Sequence, residues 1–102
     1  MSKDTDAIEQ LVMVSRPGMV HTVSHYLYFP VREDAKNAAA SLRAQGFTAE
    51  ERFGADGVNW LVLAQHKVIP SEATIGAARQ VMERLTAAVA GEYDGWEAEV
   101  LS

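Results

Sequence analysis

The sequence predicts an α+β domain of the ferredoxin-like type, a βαββαβ sandwich with a four-stranded antiparallel sheet and two helices on one face. Three observations predict it. Residues 21–29 alternate and are rich in β-branched and aromatic side chains, as a strand requires. Two more strand-like stretches, 47–53 and 58–65, are joined by the turn Gly54-Ala55-Asp56-Gly57. Helical periodicities over 31–45 and 71–90 fall between strands. The order strand, helix, strand, strand, helix, strand is that of the split βαβ unit.

Each element has its own justification. Residues 6–14 read as a short helical lead-in, with Ile8, Leu11 and Val12 at helical spacing, and Pro17-Gly18 is expected to break it. Residues 1–20 therefore read as an appendage and 21–102 as one domain. In the first strand Val23, His25, Leu27 and Phe29 share one face, and Thr22, Ser24, Tyr26 and Tyr28 the other. Pro30 ends it, having no N–H for a ladder. The first helix sets Val31, Ala35, Ala38, Ala39 and Leu42 on a stripe. Gly46 suits the left-handed position after that helix, which predicts a Schellman ending with Phe47 against Leu42. The second strand carries Thr48, Glu50 and Arg52 on one side, as an edge strand does. Trp60-Leu61-Val62-Leu63 is apolar on both faces and reads as central. Ser71 is a good N-cap for the second helix, whose stripe runs through Ile75, Ala78, Val81, Met82, Leu85, Ala88 and Val89. Gly91 is expected to stop it in the left-handed conformation, and Asp94-Gly95 to turn the chain into a last strand beginning at Trp96. The helix crossovers are expected to set the first strand parallel to the third, with these two central and the second and fourth at the edges.

Composition narrows the function. A chain of 102 residues that is 48% hydrophobic can bury one core. The absence of cysteine removes disulfides, thiolate nucleophiles and cysteine metal sites. No apolar run approaches the ~20 residues of a membrane helix, and the N-terminus lacks the pattern of a signal peptide, so a cytoplasmic location is expected. The net charge is −5, with Lys and Arg scattered, which argues against direct nucleic-acid binding. Such a surface suits a basic protein segment, or simply keeps a small domain soluble.

Residues able to carry chemistry do not converge in the sequence, so no catalytic residue, metal or cofactor is expected. His21 and His25 share a strand face but lie ~13 Å apart, too far to hold one metal. His25 reads as a half-buried strand residue and His66 as a surface residue near a loop. Glu50 and Glu51 face opposite sides; Glu97 and Glu99 share a face, as a solvated edge does. The turn at 54–57 lies in a hairpin and includes an acid, unlike a phosphate loop. Tyr26 and Tyr28 belong to the helix-free face, joined by Leu61 and Leu63 or by Trp60 and Val62. That patch is either a partner or dimer face, or is covered by the lead-in through Ile8, Leu11 and Val12.

The segment Glu92-Tyr93-Asp94-Gly95-Trp96-Glu97 resembles the Tyr-Asp-Gly-Trp signature of the family of regulators of ribonuclease E activity B. The resemblance extends in pattern from about Asp6 to Val100, through the His25-Tyr26-Leu27-Tyr28-Phe29 strand, Gly46-Phe47 and Trp60-Leu61-Val62. It implies a ferredoxin-like, non-catalytic regulator that binds ribonuclease E and inhibits RNA cleavage. The candidate partner-binding residues are then Tyr93, Asp94, Gly95, Trp96, Glu97, Glu99, Tyr26 and Tyr28. Acidic side chains, Glu92 included, would steer a basic segment, with Trp96, Tyr26 or Tyr28 as anchors. Helix stop, turn and aromatic packing account for the four motif residues equally well. A competing reading is a dimeric α+β barrel enclosing a small apolar ligand or oxygenase substrate, with His25, Tyr26 and Trp60 lining the pocket.

Overall fold

Six elements follow one another in the computed structural model, which describes residues 19–99. They are β1 (His21–Phe29), α1 (Arg32–Ala44), β2 (Thr48–Phe53), β3 (Trp60–Val68), α2 (Glu72–Ala87) and β4 (Glu92–Ala98). The helical lead-in expected at 6–14 lies outside the described residues. The strands form one sheet in the order β2-β3-β1-β4, with every neighbouring pair antiparallel. The architecture is thus the expected ferredoxin-like one, with β1 and β3 central and β2 and β4 at the edges. The expected parallel pairing of the first and third strands is wrong. The α1 crossover returns β2 parallel to β1, and the hairpin at 54–59 then reverses β3 into the gap between them.

Local chemistry explains the boundaries. α1 ends in the expected Schellman motif: Gly46 has φ +96°, the Phe47 amide donates to the Leu42 carbonyl at 3.1 Å and the Gly46 amide to that of Arg43 at 3.2 Å. Ala35, Ala38, Ala39 and Leu42 are buried, whereas Val31 precedes the first turn and is exposed. α2 begins with a capping box, in which the Ser71 hydroxyl accepts from the Thr74 amide while Thr74 Oγ1 accepts from the Ser71 amide. In the β2–β3 hairpin, Asp56 accepts from the amides of Val58 and Asn59 and from the Asn59 side chain, each at 2.9 Å. Those backbone and side-chain donors hold the Asp56 carboxyl below its ordinary pKa.

The end of α2 departs from expectation. The helix stops at Ala87, so Ala88 and Val89 lie beyond it and are exposed. Gly91 does not adopt a left-handed conformation. It is required for proximity: a Cβ there would lie 2.8 and 2.9 Å from the Phe29 ring and 3.2 Å from the Thr86 backbone. Phe29 belongs to the core that Leu27, Val62, Ala64 and Met82 form with the buried face of α1. The chain can enter β4 beside that ring only as glycine.

Candidate functional site

The motif strand is where sequence expectation and structure differ most. Asp94-Gly95 is not a turn ahead of a strand. It is a β-bulge inside β4, which already starts at Glu92. Leu27 pairs with Tyr93 and His25 with Trp96, so β4 spends one more residue than β1 between those pairs. Gly95, at φ +97°, supplies the backbone the bulge needs. In a regular strand Tyr93 and Trp96, three apart, would face opposite sides. The extra residue returns both to the face shared by His25 and Leu27. Both are half-buried there, and Asp94 and Glu97 are left exposed.

On the helix-covered side the bulge completes a constellation missed in the sequence. The Tyr93 hydroxyl lies 2.8 Å from His25 Nδ1, and His25 Nε2 lies 3.0 Å from His66 Nε2. Phe47 packs against both imidazoles, edge-on to His25 and tilted on His66, with centroids 6.2 and 4.7 Å away. His25 has no exposed surface, against the half-burial expected, and His66 is a half-buried strand residue instead of a surface one. Burial first, and the neighbouring His66 second, lower the His25 pKa to about 3; burial lowers that of His66. Both His25 nitrogens are occupied by protein partners, so neither is presented to a solute. The signal available beforehand was the inward phase of His25; His66 sits diagonal to it, opposite Val23. Register across β1 and β3 was the missing information.

The opposite side, which carries no helix among the described residues, displays Tyr26 and Tyr28, in register with Leu63 and Leu61. This settles the choice of neighbours, because Trp60 and Val62 pair with the inward-facing Phe29 and Leu27. Trp60 instead packs against Phe53 and beneath the Arg32 guanidinium. The barrel pocket of His25, Tyr26 and Trp60 is therefore not assembled within the chain: Tyr26 lies on one face and the other two on the reverse. Tyr26 donates to Glu97 at 2.5 Å, which with partial burial and the Glu97 charge raises the tyrosine pKa. Glu99 accepts from the Thr22 amide at 3.1 Å. Two shallow depressions flank the Tyr26–Glu97 pair. One, of about 270 Å³, is lined by Tyr28, Ala55, Asp56, Asn59, Glu92 and Asp94. The other, of about 320 Å³, includes Glu97, Glu99, Ser24 and Gln65.

Of the eight candidate partner-binding residues, Tyr26, Tyr28, Asp94, Glu97 and Glu99 gather on this open face. Tyr93 and Trp96 lie on the reverse, and Gly95 forms the bulge that separates the two groups. Among the described residues no group of three or more His, Asp or Glu is placed to hold a metal, and no helix is long and apolar enough to cross a membrane.

Fold and site together define a small ferredoxin-like domain whose sheet, among the described residues, keeps one face free of helices and edged with acids. More particularly, the chain belongs to the family Regulator of ribonuclease activity B, whose model matches residues 4–98. Compared with individually curated proteins, it gives no match. The family is one of regulators of ribonuclease activity, which makes a regulatory role and a ribonuclease partner the functional frame.

Proposed function

We propose that the protein is a non-catalytic regulator that captures a basic segment of ribonuclease E on its open sheet face and so dampens RNA cleavage. The observation that carries this reading is the pairing of Tyr26 and Tyr28 with the acidic row of β4, in a chain of this family. Leu61 and Leu63 extend the tyrosines into an apolar floor, and Glu92, Asp94, Glu97 and Glu99 form one wall. The two depressions lie toward opposite ends of β1, several residues apart, or on the order of 15–20 Å at strand spacing. That span suits an extended segment whose cationic side chains settle in the depressions while its apolar groups meet the tyrosines. Aromatic centres with polar rims are the usual anatomy of such contacts, and the charges set encounter rate and partner choice.

Calorimetric titration tests the reading, using ribonuclease E intact and lacking its basic regions. Binding that is lost on truncation, weakens with salt and is reduced by Tyr26→Ala is the expected result. Equal binding to both forms would place the contact elsewhere.

A further inference from the structure

Three titratable side chains from three adjacent strands meet under the helices: Tyr93 of β4, His25 of β1 and His66 of β3. We propose that this Tyr93–His25–His66 chain is an acid-released latch holding the motif strand against β1, with His25 as its positioning residue.

The proton count carries the argument. The two contacts, Oη to Nδ1 and Nε2 to Nε2, each need one hydrogen, and neutral side chains supply one apiece. Either tautomer of His25 satisfies both. A first extra proton places a charge beside Phe47 with no counter-ion at the rings among the described residues. A second sets N–H against N–H and breaks the Nε2 contact. The surroundings offer no relief. α1 turns Ala35, Ala38, Ala39 and Leu42 to the sheet, and α2 turns Ile75, Ala78, Met82 and Thr86. β2 contributes one inward carboxylate, Glu51, which pairs with Val62, four residues from His66 and ~13 Å along the strand. On β1, His21 is equally distant from His25 and bonds the Met19 carbonyl. Burial first and His66 second push the His25 pKa down.

The sign follows from linkage. Both imidazoles have folded values below the ordinary 6.5, so the opened chain binds protons first. The latch is fully effective above pH ~6.5 and weakens as pH falls toward the folded values, by up to tenfold per pH unit for each ring that takes a proton. β4 yields before the rest, because as an edge strand it has one neighbour and a bulge already interrupts its ladder. Capture by the β4 carboxylates would fall with it; that consequence rests on the proposed interface, whereas strand opening is measured with no partner present.

Hydrogen-exchange protection of amides 92–98 and of the β2–β3 pair, measured on the full chain between pH 7.5 and 5, tests the latch. β4 protection is expected to fall first and steeply. In His66→Gln, which keeps a hydrogen-bonding group but does not titrate, the slope should drop by about half. Tyr93→Phe should lose β4 protection already at pH 7.5, and serves if His66→Gln does not fold. Simultaneous loss in β4 and β2–β3, an unchanged β4 in Tyr93→Phe, or an unaltered slope in His66→Gln would each overturn the proposal. So would imidazole NMR showing His25 or His66 of the native chain titrating near pH 6.5.

Discussion

The two edge strands solve one problem in opposite ways. β2 is regular and alternating, and its outward charges cancel within the strand: Arg52 Nη2 lies 2.7 Å from Glu50 Oε1, with both side chains more than half exposed. β4 is bulged and uniformly acidic outward, and the acids face β1 instead of each other, Glu97 on Tyr26 and, just past the strand, Glu99 on the Thr22 amide. A cancelled, exposed pair guards an edge against wrong partners and contributes little else. An uncancelled acidic row beside two tyrosines leaves charge available to a partner. On the proposed interface, the difference teaches that charge content does not distinguish a protective edge from a recognition edge; the pairing of those charges does.

The largest test of this contrast is Gly91→Ala, which drives a methyl into Phe29 where the chain enters β4. A loss of about 1–3 kcal/mol is expected from overpacking, read as a lowered urea midpoint. Gly95→Ala comes next. No atom lies within 4 Å of a Cβ there, so only the backbone at φ +97° is penalised, by about 1–2 kcal/mol. If Gly95→Ala costs nothing, the bulge is not what fixes Tyr93 and Trp96 on one face. Charge reversal then separates the edges directly. Glu97→Lys should weaken a basic partner roughly tenfold, about 1.4 kcal/mol, while Glu50→Lys on β2 changes binding less than about threefold. Equal effects from the two would erase the distinction. The smallest effect is expected from Arg52→Ala, within about 0.5 kcal/mol in stability, because an exposed ion pair is screened by water and salt.

Most of the fold was legible because its signals are local. β1 has the limits that its alternation predicts, and the alanine stripe of α1, the Schellman ending at Gly46-Phe47 and the Ser71 cap all depend on residues within a few positions of one another. The errors arose where one local signal had two physical meanings. Gly91 fits a helix stop, but its purpose is proximity to Phe29, 62 residues earlier. Asp94-Gly95 fits a turn, but its surroundings are a ladder, so the same backbone freedom makes a bulge. Nearness to a loop suggests a surface position for His66, but its environment is set by strand pairing.

The sequence by itself determined the element order, the central and edge strands, the helix-free tyrosine face and, through the Tyr-Asp-Gly-Trp signature, the family. Periodicity, caps and turn residues act over a few bonds and leave their mark in the chain. Tertiary structure alone decided which side Tyr93 and Trp96 occupy, that Glu97 meets Tyr26, and that Tyr93, His25 and His66 share hydrogens. These depend on register between residues up to 75 positions apart, and a one-residue bulge reverses the outcome for every side chain beyond it.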